Sequence, residues 1–315
     1  MASLDRAAVY VMPILITACT KKKLGTAQVS AADIRSGAIE VVGSSWVAAL
    51  SAVEDLTRAA KLYQGGSHAE SRRAAQDSGY PHFIVSAGLG LIAADAEVPH
   101  YAASVLAGDD DILGKLGDGT NADTWWRWLQ DRSPFARSLK TIILATHGPC
   151  LIALPQAYLE MIREELLALP EQLLDRVRLF SGSRAPAALA HLQMPYDDRL
   201  DGPQSPYKGT RSNFAPRALR HFATRILPGN EGQTAGQHAE AVEAALANWS
   251  RPVRTSGARK TDAELRAILA THWEAMGGRS TRMLRLLRDE LGIACEQGRF
   301  AGLVRGMREE RGSAA

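Results

Sequence analysis

Two apolar runs, each emptying into a short polar loop, constrain this chain more than any other feature. Val9 to Ala18 ends in Cys19-Thr20-Lys21-Lys22-Lys23, and His82 to Val85 ends in Ser86-Ala87-Gly88-Leu89-Gly90. Short continuous apolar runs bounded by turn residues read as strands buried on both faces. When the polar residues gather at the ends of such strands, one ligand site at the carboxyl edge of a parallel sheet is expected.

The rest of the chain supports that frame. Ser45 to Leu62 carries apolar residues at helical spacing, and Ala69 to Ser78 reads as a second helix. Thr124 to Leu129 opens another, with Thr124 or Asp123 as its cap. Thr141 to Ala145 reads as a third strand, Pro155 to Leu169 as one patterned helix and Arg176 to Phe180 as a fourth strand. Met194 to Gly209 is loop-rich, and helices are expected at Ser212 to Ile226 and His238 to Trp249. Alternation of this kind predicts an α/β fold, with a parallel or mixed central sheet flanked by helices. Residues 1–249 form the expected α/β domain. Residues 250–260, rich in Pro, Gly, Ser and Arg, form a linker, and residues 261–315 a small helical domain.

The length of 315 residues allows two domains, and 46% hydrophobic residues suffice for a sizeable core. Three cysteines, Cys19, Cys150 and Cys295, lie far apart with no zinc spacing. No metal or redox cofactor is expected, and scattered thiols fit a reducing cytoplasm. The N-terminal apolar run is too short to span a bilayer and lacks the pattern of a signal peptide, so no membrane partner is expected. The net charge of +3 hides an asymmetry: from Arg251 onward there are 13 Lys/Arg against 8 Asp/Glu, a net of +5, which leaves −2 for the rest.

Lys21, Lys22 and Lys23, following Cys19 and Thr20, suit a phosphate, although no Walker loop is present. Gly88 and Gly90 would let a ligand approach the backbone beside Ser86. His100 and Tyr101 are candidates to stack on a base or donate hydrogen bonds to it. Asp95, in an alanine-rich context, is a candidate catalytic carboxylate, with Glu97 as its substitute. His147 is a candidate second acid–base group or anion contact. Asp197, Asp198 and Asp201 with Arg199 and Arg211 form either a metal-binding knot or a lattice of ion pairs. Trp125, Trp126 and Trp128 read as core packing rather than a stacking platform.

In the tail, Arg279, Arg282, Arg285 and Arg288 recur every three residues. On a helix they form a cationic stripe suited to phosphates, opposite Leu284, Leu287 and Leu291. Three helices separated by Gly277-Gly278 and Gly292 predict a helix-turn-helix-like unit.

ILITACTKKK, KLYQGGSHAESRRAA and HFIVSAGLGLIAADAEVPHY together resemble a bacterial and phage family related to YaaA. Its members carry a C-S-K-K-K-like loop, matched at Cys19 to Lys23, and a segment matched at Lys61 to Arg72. An S-A-x-x-G-L motif followed by P-Y is matched at Ser86 to Leu91 and Pro99 to Tyr101. The chain departs from this pattern in Thr20, where serine is usual, and in His100 before the tyrosine. The resemblance ends near Asp110. It implies nucleic-acid binding and an α/β sandwich similar to that of uracil-DNA glycosylases. The implied activity is excision of an unusual or modified base from DNA, in a setting of defence against phages.

On that expectation Lys21 to Lys23 neutralise phosphates, while Cys19, Thr20, Ser86, Gly88, Gly90, His100 and Tyr101 line a base pocket. Asp95 would position a water or stabilise the cationic sugar as the base–sugar bond breaks. A non-enzymatic DNA-binding or DNA-bending protein, and a nucleotide-binding hydrolase, are the alternatives, and RNA stays open as the polymer.

Overall fold

A computed structural model of the chain describes residues 12–117, 119–253 and 257–312. The expected strand residues Val9 to Val11, and residues 254–256 of the expected linker, lie outside them. The chain divides into two compact units, one ending at Pro252 and the other starting at Val253.

The first unit is an α/β fold around a five-stranded mixed sheet. Its strands are β1 (Ile14–Ala18), β2 (His82–Ser86), β3 (Gly90–Ala93), β4 (Cys150–Ala153) and β5 (Val177–Phe180). They lie in the order β3-β2-β1-β4-β5. All neighbours are parallel except β3, which runs antiparallel to β2. Register is set by Ala18 opposite Val85 and Thr17 opposite Ala153. Alternate residues feed the two faces, as period-two geometry requires. Ile14, Ile16, Cys150, Ile152, Val177 and Leu179 enter one core, while Leu15, Leu151, Ala153 and Phe180 enter the other.

Helices α1 (Ile39–Ser51), α3 (Ala122–Arg132), α4 (Leu139–Leu144), α5 (Gln156–Met161) and α6 (Arg163–Leu167) supply side chains to the first core. Helices α2 (Gly66–Ser78), α7 (Phe214–His221) and α8 (Ala235–Leu246) supply the second. Arg220 of α7 bonds Asp77 and Glu70 of α2, tying the two helices together.

Several expected elements are corrected. Thr141 to Ala145 is not a strand: it lies in α4, where Ser138 caps the Thr141 N–H and Leu139, Ile142 and Ile143 form a buried helical face. A short apolar run carries no period of its own, so the cap decides. The strand expected there is Cys150–Ala153. Ser45 to Leu62 is not one helix either. α1 stops at Ser51, and Leu56–Arg58 pairs as a short antiparallel strand with Glu97–Pro99. Pro155 to Leu169 breaks at Ile162 into α5 and α6. Asn121, not Asp123 or Thr124, caps α3, whose Trp125, Trp126 and Trp128 are buried.

The second unit holds α9 (Asp262–His272), α10 (Ser280–Arg285) with a π-turn over Leu286–Glu290, and α11 (Gln297–Gly312). Thr261 and Glu264 form a capping box at the start of α9. The turn into α10 uses Gly277 and Gly278, both left-handed (φ 59° and 61°). Leu265, Leu269, Trp273, Met283, Leu287, Phe300 and Val304 give the unit a core of its own.

Candidate functional site

The loops leaving β1 and β2 meet, but as a packed polar core rather than an open base pocket. Ser86 closes the turn after β2: its Oγ accepts from the Gly88 and Leu89 N–H groups (3.2 and 3.0 Å). The Tyr101 hydroxyl lies 2.6 Å from the same oxygen and 2.9 Å from the Tyr63 hydroxyl, making a buried chain of three hydroxyls. Cys19 Sγ is 3.2 Å from the Tyr158 hydroxyl. Burial holds all three phenols protonated, well above their ordinary range. Thr20 Oγ1 lies 2.9 Å from the carbonyls of Lys22 and Gln64, pinning the lysine loop to the segment before α2.

This packing corrects the base-pocket assignment for five residues. Cys19, Ser86 and Tyr101 are buried among protein groups, not open to a ligand. A Cβ on Gly88 would come within 2.7 Å of Tyr101 and 2.9 Å of Trp46, so this glycine makes room for two rings. Gly90 (φ 86°) likewise faces Gln130 and Ala136. His100 is half-buried, with its ring beside Gly25.

The lysines divide by exposure. Lys21 and Lys22 are exposed, and Lys21 Nζ lies 3.8 Å from Asp110. Lys23 is half-buried, its ammonium 4.4 Å from the centre of the Tyr101 ring. Burial lowers its pKa, opposed by Cys19 and Asp110. Asp110, which sequence reasoning missed, is thus the carboxylate that the described residues bring to this loop.

Asp95 and His147 do not join the site. β3 returns antiparallel, so Ala93 pairs with Phe83 at the start of β2, and Asp95 lies exposed just beyond, toward the amino edge of the sheet. Glu97 is exposed and paired with Arg58 at 3.5 Å. His147 sits in the loop entering β4, again at the amino edge. It lines a cavity of about 630 Å³ with Arg176, His191, Glu231 and Thr234. No cluster of metal-ligating side chains occurs among the described residues. The acidic knot is instead a set of ion pairs: Asp197 with Arg199 and Arg251, Asp198 with Arg251, and Asp201 with the buried Arg217.

An open cleft lies nearby, where topology favours one. β1 connects outward to β2 on one side, and the chain then crosses to β4 on the other, so the order reverses between β1 and β4. Ligands of open α/β sheets bind at such switch points, outside the carboxyl ends of the strands. Ala18 and Ala153, the last residues of β1 and β4, line a cavity of about 190 Å³ at that place. Its other walls include Ser67 and Ser71 of α2, Gln156 at the start of α5, Ser181 to Ser183 after β5, and Arg211 and Ser212 before α7. The Ser181-Gly182-Ser183 strand end is visible in the sequence, but nothing there brings it to Ser67 or Arg211.

In the second unit, Arg279, Arg282, Arg285 and Arg288 are all exposed. Arg288 donates to the Cys295 carbonyl (2.8 Å). The other three make no ion pair among the described residues, whereas Arg266, Arg299 and Arg311 are matched with Glu310, Asp262 and Glu274.

No protein-family model, curated protein or solved structure matches the chain. Among the described residues no helix is long and apolar enough to cross a membrane.

Proposed function

We propose that this protein acts on DNA, with the second unit gripping the duplex and the carboxyl edge of the sheet receiving a nucleotide turned out of the stack. The observation that carries this reading is the cleft at the β1/β4 switch point, whose Ala18 leads into the loop that presents the exposed Lys21 and Lys22. Arg279, Arg282 and Arg285 of the second unit, which are exposed and make no ion pair among the described residues, support it, because such cations can neutralise phosphates. The resemblance to YaaA-related proteins and to the glycosylase sandwich points the chemistry toward the base–sugar bond. A helix-turn-helix-like use of α10 and α11 belongs to the same proposal.

The site geometry moves the catalytic assignment. With Asp95 and His147 at the amino edge, Asp110, which lies beside Lys21 of the lysine loop and outside the cleft lining, is the carboxylate we propose for the developing sugar cation. The deciding experiment is incubation with plain and hypermodified phage DNA, scoring released bases by mass spectrometry. Release that survives Asp95→Asn and is lost in Asp110→Asn supports the assignment. A non-catalytic DNA-binding role is the second reading. It is favoured by the packing of the expected base pocket, and binding without released base from any DNA would establish it.

A further inference from the structure

The cleft at the switch point has a chemical character of its own. Its lining combines small groups, Ala18, Ala153 and Ala215, with five serines: Ser71 donates to the Ser67 carbonyl (3.1 Å), Ser181 and Ser183 share a hydrogen bond (3.2 Å), Ser212 shares one with Thr210 (2.9 Å), and the Ser67 hydroxyl completes the set. Among the described residues no carboxylate lines it, and Arg211 is its single charged lining residue. Arg211 is exposed, and its side chain makes no hydrogen bond or ion pair among the described residues, unlike Arg217 six residues on, which is buried and makes four side-chain hydrogen bonds. A concave site with one cation, no acid among its described lining residues, and serine hydroxyls that can exchange their short-range bonds for a ligand's oxygens selects against cations and for an anion with several acceptor oxygens. The volume is that of roughly six liquid waters. It admits a phosphoryl group with part of its sugar, not a dinucleotide.

We propose that this cleft is a phosphoryl-binding site, in which Arg211 makes the charge-assisted contact and the serine hydroxyls of α2 and of the loop after β5 complete the cradle. The apolar floor between β1 and β4 then meets the carbon face of the attached sugar. This deepens the reading of a nucleotide-receiving edge and rests on it. A free mononucleotide and a phosphate within a DNA strand offer the same chemistry to these side chains.

Calorimetric titration of the full chain tests the proposal, using inorganic phosphate, a deoxynucleoside 5′-monophosphate and a short single-stranded oligonucleotide. Arg211→Ala should weaken ligand binding at least tenfold, Arg211→Lys should restore part of the loss, and the unliganded melting temperature should stay unchanged, since the Arg211 side chain bonds no other group among the described residues. Arg211-dependent binding of phosphate and monophosphate identifies a free nucleotide as the source. Arg211-dependent binding of the oligonucleotide alone identifies the DNA backbone. Failure of all three ligands to bind at millimolar concentration, or equal binding by Arg211→Ala, overturns the proposal. The outcome is separable from that of the base-release assay. Phosphate binding without base release sinks only the enzymatic reading, and base release unaffected by Arg211→Ala sinks only the phosphoryl site.

Discussion

Acid should loosen the first unit through His221. This side chain is 4% exposed, lies 2.7 Å from the Tyr196 hydroxyl through Nδ1, and is surrounded by the rings of Tyr196, Tyr207 and Trp249. Burial, reinforced by Arg225, pushes its pKa down to about 4. A histidine with a depressed folded pKa stabilises the fold while neutral. That stability is complete above the unfolded value near 6.5 and is lost as pH falls through the window down to about 4. The whole shift corresponds to about 3 kcal/mol, of which about 2 kcal/mol is gone by pH 5. His68 and His238 are shifted in the same direction, chiefly by burial, and add to the effect. Replacing His221 by Phe keeps a ring in the cluster and removes the titration. The measurement is urea unfolding at pH 8 and pH 5, followed by tryptophan fluorescence. Wild type should lose about 2 kcal/mol more between the two than His221→Phe, even though the variant starts lower for want of the Tyr196 contact. Equal losses in the two proteins would refute the reasoning.

Other outcomes follow from the same geometry. Gly88→Ala forces a methyl against Tyr101 and Trp46 and should cost about 1–3 kcal/mol, read as a fall in the denaturation midpoint. Tyr101→Phe removes the middle hydroxyl of the Tyr63–Tyr101–Ser86 chain; a loss of about 1–3 kcal/mol is expected, and a neutral result would mean the chain does not hold the loops together. Lys21→Glu with Lys22→Glu should weaken DNA binding by fluorescence anisotropy and flatten its salt dependence, and Arg282→Glu with Arg285→Glu should do the same from the second unit. Asp95→Asn should leave both binding and any base release at the wild-type level, because the side chain is exposed toward the opposite edge of the sheet.

The apolar runs ending in Ala18, Val85 and Phe180 were legible as strands because a strand buried on both faces needs an unbroken hydrophobic stretch. α2 was legible too, stopping at Gly79, whose left-handed backbone closes it. The stretch from Thr141 was not, since four apolar residues in a run fit either period and the deciding cap at Ser138 lies outside them. Ser86 and Tyr101 meet through their hydroxyls (2.6 Å), and Cys19 lies against Tyr158 (3.2 Å). Their role was misjudged because no sequence pattern distinguishes a hydroxyl facing a ligand from one facing another tyrosine. Asp95 looked close to Ser86 along the chain, but the antiparallel return of β3 carries it toward the far edge.

What the sequence determined by itself is the local chemistry: which runs are buried, where polar loops interrupt them, and that positive charge collects in the tail. Those follow from side-chain transfer energies and period, which are properties of neighbours along the chain. Only the tertiary structure decided which polar groups stay open. The strand order β3-β2-β1-β4-β5 places the switch point between β1 and β4 and brings Ser67, Ser183 and Arg211 to one cleft from three distant segments. Packing filled the other candidate pocket with Trp46, Tyr63 and Tyr101, because buried hydroxyls satisfy one another wherever the fold lets them meet.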